Sequence, residues 1–434
     1  MPKNGRYFWM DGIPAMSSYL ELDLTLRAEQ QALKAGVHQF AAAVLRPAAQ
    51  ALDRLPDPRQ VIAPDSALWD VFRVAYAQGF HTALVPRECG GMGLQGLSLH
   101  IALEELGWGS ADFALGLAVA GFPFALVART GNPDLIAELV APFVADREAR
   151  QVGCWALTEP DHGSDHFLAG TPELRDPRLA GQATARADGD HYILDGAKAV
   201  WVSNGTIATH AVVHVTLDRT MGLAGGGVAF VPLNLPGVSK TPPLDKLGQR
   251  ALNQGGMRFD NVRIPRRYML FDTPLYDTML QQILILTNGA MGAAFTGVAR
   301  AAYEMALAHV TTRVQGGKVL AEHQLVQKHL FDMFTKVATC RALSRAVLAY
   351  NATSPAPALE YAIASKTYCT QTCLEVTDTA LQLFGGKGLS REFPIEKLYR
   401  DARASLIEDG ANDVLALVGA RRLLEAAAET HPAA

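Results

Sequence analysis

Cysteine is scarce in this chain. Five residues among 434, odd in number and scattered, exclude a disulfide scaffold. Free core thiols in a reducing cytoplasm are expected instead. Metal-binding patterns are missing too: there is no His-Glu-x-x-His and no Cys-x-x-Cys. Cys369 and Cys373 stand one helical turn apart, but two thiols do not complete a zinc site. His323 and His329 are six apart and do not share a helical face. No Gly-x-Ser-x-Gly nucleophile elbow is present. Charge of one sign is also lacking. The 39 Lys and Arg against 43 Asp and Glu leave a net charge of −4, spread without long runs, which argues against a nucleic-acid footprint. No uncharged apolar run approaches the ~18 residues that a membrane span needs. Residues 2–16 mix aromatic, glycine and proline residues in place of a secretion signal. A cytoplasmic protein with no membrane partner is expected.

What is present is apolar material: 49% of residues are hydrophobic, enough for two or three domains. Residues 1 to about 22 show no period and read as an extended arm. Leu26, Leu33, Val37, Phe40 and Val44 recur at three and four, predicting an amphipathic helix over 24–45. Further helices are expected over 67–78, 97–106, 113–128 and 133–143. The fourth of these five is apolar nearly all round and reads as buried. Gly91 to Gly96 spell Gly-x-Gly-x-x-Gly, but helix follows helix here and no parallel strand returns, so a tight loop is favoured over a dinucleotide site. Past Arg150 the pattern changes. Strands are expected over 151–157, 183–187, 191–194, 199–202, 211–217, 227–232 and 256–264. Asp188-Gly189, Asp195-Gly196 and Asn204-Gly205 read as the turns of an antiparallel meander. Helical periodicity returns over 279–309, 321–350, 357–384 and 412–428, which predicts a bundle. The fold class is α+β: an N-terminal all-α domain (1–150), a central antiparallel β-barrel domain (151–270) and a C-terminal four-helix bundle (271–434).

The stretch Cys-Trp-Ala-Leu-Thr-Glu-Pro-Asp-His-Gly-Ser-Asp, residues 154–165, changes character halfway. An apolar strand meets Pro160, which cannot continue a ladder, and then a short-side-chain turn. Such a turn points amides and the Thr158 and Ser164 hydroxyls at solvent or at an anion such as phosphate; a plain polar turn is the alternative. Four further motifs follow in order: Trp201-Val202-Ser203-Asn204-Gly205, then Lys246-Leu247-Gly248-Gln249-Arg250 with Phe259 to Pro265, then Gln382 to Gly388, then Arg400-Asp401-Ala402 with Glu408-Asp409-Gly410. Together, from about Leu24 to Leu424, the chain resembles the acyl-CoA dehydrogenase family.

That resemblance implies FAD, and an organic cofactor is what the chemistry asks for, because no side chain accepts a hydride. The matching positions for the cofactor are Trp155, Leu157, Thr158, Ser164, Trp201, Ser203, Ala411 and Asp413. Arg313, Gln324, Gln382, Gly385 and Gly386 match positions that reach a neighbouring subunit's FAD, which implies a homodimer or homotetramer. Ser164, Gln282 and Gly410 match substrate-contacting positions. The implied reaction oxidises an acyl thioester, on coenzyme A or a carrier protein, to its α,β-unsaturated form, with electron-transfer flavoprotein or a similar acceptor. A carboxylate takes the α-proton.

The chain departs from the family pattern where it matters most. Aspartate stands in the glutamate slot, at Asp409, shorter by about 1.5 Å. Ala411 replaces a threonine and Gly316 a phenylalanine. Gln282 and Ile283 occupy the slot that carries the base in some relatives, and a glutamine cannot act as a base at neutral pH. Asp409 is therefore the expected base, with Glu408 second. A flavin-dependent oxidase or monooxygenase, or a non-catalytic flavin-binding homologue, stand as alternatives.

Overall fold

A computed structural model describes residues 26–430; the arm expected over 1–22 lies outside them. The first helix is longer than its periodicity suggested. α1 (Ala28–Phe40) runs through a π-helical stretch at Ala41–Leu45 into α2 (Arg46–Asp53). Pro47 has no N–H to give back to the preceding turn, and the wide turn before it absorbs that defect. α3 (Pro58–Val61) and α4 (Ala67–Ala77) follow. α5 (Gly96–Gly109) and α6 (Ala111–Arg129) are joined at Ser110, whose hydroxyl caps α6 by accepting from the Phe113 N–H at 3.3 Å. α7 (Pro133–Leu135) and α8 (Ala141–Ala145) complete the N-terminal part.

The middle region is one sheet of β1 (Gly153–Ala156), β2 (Thr184–Asp188), β3 (His191–Lys198), β4 (His210–Thr216), β5 (Gly226–Pro232), β6 (Val238–Lys240), β7 (Met257–Pro265) and β8 (Met269–Phe271). The strand path is β6-β7-β3-β2-β4-β5-β8, with β1 beside β4. Antiparallel pairing holds throughout except for β1–β4 and the single Thr184–Thr216 contact of β2 with β4, which are parallel. β1 arrives from the helical region and not from a hairpin, so no turn forces it antiparallel. Asp188-Gly189 is a hairpin turn as expected, with Gly189 at φ 58°. Asp195-Gly196 is not: β3 runs straight through it, and the register against β7 shifts there, a bulge at Gly196. The strand expected over 199–202 is a turn, from which only Ser203 bridges to Gln254.

The C-terminal part contains α9 (Thr273–Thr312), α10 (Gln324–Thr353), α11 (Leu359–Phe384), α12 (Ile395–Ala404) and α13 (Asn412–Thr430). The four expected helices are joined by the ten-residue α12. Two helices, α6 and α9, are long and apolar enough to cross a membrane, but 83% and 72% of their most apolar windows are buried inside the protein.

α5 and α9 pack closely because both carry glycine at the crossing. A Cβ on Gly297 would stand 2.0 Å from the Glu104 carbonyl oxygen, and one on Gly107 2.0 Å from that of Ala294. Gly297→Ala should therefore force the helices apart and destabilise the protein by about 1–3 kcal/mol, read as a lowered urea midpoint. The same crossing holds charge. Arg300 meets Glu104 at 2.8 Å and Glu105 at 2.5 Å, and Arg341 meets Glu104 at 2.5 Å. Burial pushes the Glu104 carboxyl up, but Arg341 and Arg300 outweigh it and hold the carboxyl well below its usual range.

Candidate active site

The loop after β1 is fixed at both ends. Trp155 Nε1 donates to His214 Nε2 at 2.8 Å, and His214 Nδ1 meets the Tyr276 hydroxyl of α9 at 3.1 Å. The Thr158 carbonyl accepts from the Ala199 N–H at 2.9 Å. Lys198, fully buried, donates to the Leu157 carbonyl at 3.0 Å and pairs with Glu159 at 2.6 Å. Past Pro160, Asp165 accepts from the Gly163 N–H and pairs with His162 Nδ1, both at 2.6 Å. This shapes a turn that presents Ser164, whose hydroxyl accepts the Ala411 N–H at 2.9 Å. Two stretches nearly 250 residues apart in sequence are thereby brought into contact.

The second stretch is the turn between α12 and α13. Asp409 (φ 50°) and Gly410 (φ 102°) are both left-handed, a strained choice for the aspartate. Lys366, on the buried face of α11, holds the turn by donating to the Gly410 carbonyl and to Asn412 Oδ1, each at 2.7 Å. Asn288 Nδ2 of α9 donates to the Asp409 carbonyl at 3.4 Å. The Asp409 and Glu408 side chains are half-buried. Burial pushes the Asp409 carboxyl up to about 6, against the pull of Lys366. Burial likewise raises Glu408 to about 7, opposed by Lys246 and by the Gln249 amide that donates to it at 2.9 Å. A carboxylate poised near neutrality and reachable from one side is suited to take a proton.

The third stretch connects to the second through Lys246, whose charge acts on Glu408. Gln254 donates to the Trp201 carbonyl and the Ser203 hydroxyl, each at 3.2 Å, and accepts from Lys246 at 2.9 Å. Trp201 is 58% exposed, and its indole offers a flat apolar surface beside hydroxyl donors. Behind the site, Lys397 pairs with Asp112 of α6 at 3.0 Å and with Asp401 at 2.5 Å. Asp401 in turn accepts the Gln249 N–H at 2.5 Å. Burial, and then the neighbouring Asp112, hold Asp401 up at about 7 against the pull of Lys397.

Residues 27–147, 154–262 and 279–424 match, in order, the descriptions "Acyl-CoA dehydrogenase, N-terminal domain", "middle domain" and "C-terminal domain". This chain belongs to the acyl-CoA dehydrogenase family. It is 32% identical to short-chain specific acyl-CoA dehydrogenase of Bos taurus, over 79% of each chain. It is 31% identical to cyclohexane-1-carbonyl-CoA dehydrogenase of Geobacter metallireducens, over 84% of this chain and 89% of that one. The solved butyryl-CoA dehydrogenase of Megasphaera elsdenii superposes with a TM-score of 0.81 at 25% identity, covering 93% of this chain and 100% of that one.

The family's cofactor is FAD, and the residues present fit it. Exposed Trp201 offers a ring-sized apolar face. Thr158, Ser164 and Ser203 offer hydroxyls, and a Cβ added at Gly385 or Gly386 would meet nothing within 4 Å. The expected family positions divide into two sets. Ser164, Gly410, Ala411, Asp409 and Glu408 meet directly, and Trp201 with Ser203 join them through Gln254 and Lys246. Asp413 is exposed in the first turn of α13. Arg313, Gln324, Gln382, Gly385 and Gly386 are exposed at the other end of the bundle, where His309 stacks on Phe384 at 4.1 Å. Along α9 that end is about 36 Å from Asn288 at about 1.5 Å per residue.

Gln282 lies exposed on α9, ahead of the part of the helix that meets the Asp409 turn. Asn288, six residues on and fully buried, faces that turn instead. The six-residue offset rotates a side chain well off its original face. Lys366 was missed, although the signal existed: a lysine among Ala362, Ile363, Cys369 and Cys373 on one apolar helix face needs an anionic or carbonyl partner. Lys366→Met removes the cation that holds the Asp409 carboxyl down. The acid limb of kcat/KM should then move to higher pH. Activity should fall most below pH 7 and recover as the pH rises, which a pH profile of wild type and variant side by side would show.

Proposed function

We propose that this chain oxidises saturated acyl thioesters to α,β-unsaturated thioesters with Asp409 as the base. The observation that carries this reading is Asp409 itself: a half-buried carboxylate held near pKa 6 by burial, in a turn tied to Ser164 and linked through Lys246 and Gln254 to exposed Trp201. Trp155, Leu157, Thr158, Ser164, Trp201 and Ser203 would hold FAD, which when bound would supply the hydride acceptor for the β-carbon. Asp409 takes the α-proton, and the Lys366 ammonium, which holds the Gly410 carbonyl of the same turn, stabilises its ionised form before the transfer. Glu408, anchored by Gln249, sets the field around the base and is not the first proton acceptor, because its carboxylate is engaged by that amide.

The relatives' names support a short or compact acyl group on coenzyme A. Phe167 and Leu168 pack against the cluster of Leu284, Ile285 and Leu415, next to Gly410, which narrows the space beside the base. The separation of Arg313, Gln324, Gln382, Gly385 and Gly386 from Trp201 supports a homodimer or homotetramer in which that end serves the partner's cofactor. An electron-transfer flavoprotein is the natural acceptor for such an enzyme, and five free cysteines support a cytoplasmic location. Anaerobic mixing of the yellow holoenzyme with saturated acyl-CoAs of four to eight carbons, cyclohexane-1-carbonyl-CoA included, tests the reading. Bleaching of the flavin band by at least one of them is expected; a colour unchanged by all of them, with full FAD content, overturns it.

A further inference from the structure

Two fixed neighbours decide which way the Gln254 amide faces. The Lys246 ammonium, 2.9 Å from Oε1, can only donate. Burial brings its pKa down to about 8, with Glu408 opposing, so it stays charged at neutral pH. The Trp201 carbonyl, 3.2 Å from Nε2, can only accept. One orientation satisfies both, and it sends the second Nε2 hydrogen to Ser203 Oγ at 3.2 Å. Gln254 is 7% exposed. Turning the amide over would set its N–H groups against the ammonium and its oxygen against the carbonyl, a costly mismatch for a buried group.

The backbone holds this pair in place. Ser203 and Gln254 form an antiparallel bridge. On either side of it, the Asn204 N–H donates to the Asn253 carbonyl at 2.9 Å and the Gly255 N–H to the Val202 carbonyl at 3.2 Å. A Cβ on Gly205 would stand 2.1 Å from the Gly255 carbonyl oxygen, so the two segments touch there. Ser203 Oγ thus accepts from Gln254 and has its own hydrogen still to give, since a hydroxyl is a donor as well as an acceptor. Among the described residues nothing accepts that hydrogen. Ser203 is half-buried, next to exposed Trp201, so the hydrogen can meet a bound group.

We propose that Gln254, aligned by Lys246, is a positioning residue that turns the Ser203 hydroxyl outward as a hydrogen-bond donor to the flavin ring. The proposal rests on the dehydrogenase reading above. A reduced ring is electron-rich, and a fixed donor stabilises it more than the oxidised form. The Lys246 charge strengthens the effect, because each hydrogen bond in such a chain polarises the next. Ser203→Ala removes the donor, and Ser203→Thr keeps it. Gln254→Met keeps the side-chain length and the neutral charge but leaves the hydroxyl without a fixed direction; Gln254→Leu serves the same purpose if that variant does not fold.

The measurement is the reduction potential of the FAD-loaded protein at pH 7, taken without oxygen against a reference dye. Ser203→Ala and Gln254→Met should each shift the equilibrium toward oxidised flavin by about 5–10-fold, which is about 20–30 mV for a two-electron couple. The double variant should shift no further than the larger single one, because Gln254 acts through the hydroxyl. Ser203→Thr should hold the wild-type value. A Gln254→Met variant at the wild-type potential, shifts that add in the double variant, or an unmoved potential in Ser203→Ala would each overturn the proposal while leaving the dehydrogenase reading intact. A wild type that takes up no FAD overturns both.

Discussion

Asp409→Asn should lower turnover by about 10²–10⁴-fold, the usual worth of a positioned base, while FAD content and thioester binding stay near wild type. The substitution keeps size and shape and removes only the ability to take a proton, so the loss belongs to kcat and not to KM. In the unaltered enzyme the acid limb of kcat/KM should fall about tenfold per pH unit below about 6, the value to which burial raises this carboxyl. Stability should move the other way. A carboxyl whose folded value lies above its unfolded value penalises the folded state when ionised. That penalty is full above about pH 6 and fades as the pH drops toward the ordinary carboxyl range. The asparagine variant should therefore be at least as resistant to heat as wild type at pH 8. An inactive variant that also melts early would point to misfolding; unchanged turnover would remove Asp409 as the base.

Lys397→Met should destabilise the protein by about 3–5 kcal/mol, because it leaves Asp112 and Asp401 buried without their shared ammonium. The loss should be largest at pH 8, where Asp401 ionises, and smaller at pH 5.5, where Asp401, already held at about 7, is protonated. Urea midpoints of wild type and variant at the two pH values measure this. Adding Asp112→Asn to the variant should recover part of the deficit, since one uncompensated charge is removed with its partner. Activity should fall along with stability, because Asp401 also orients the Gln249 backbone, whose side chain holds Glu408.

The parts legible in the sequence were those written in local pattern. Helices and strands with clean periodicity formed where expected, and the short motifs singled out Ser164, Ala411 and Asp409, which the fold brings together. What pattern did not reveal was long-range partnership. Asp195-Gly196 carries the letters of a turn, yet β7 pairs on both sides of it, so a neighbouring strand decided its shape. Gln282 was singled out by family resemblance, and no local pattern marked Asn288 as the α9 side chain that bonds the Asp409 carbonyl. Lys366, Lys397 and Gln249 act through partners 44 to 285 residues away, and no window along the chain contains both ends of such a contact.

One helix touches every part of this arrangement. α9 carries Tyr276 under the Trp155 anchor, Asn288 against the Asp409 turn, Gly297 and Arg300 against α5, and ends beside Arg313. It acts as a ruler whose graduations are set by rotation as well as length. One inserted residue between Asn288 and Gly297 would turn everything beyond it by about 100°, swinging Gly297 and Arg300 away from α5. Its outer face carries none of these contacts, but the residue count between those marks is fixed by them.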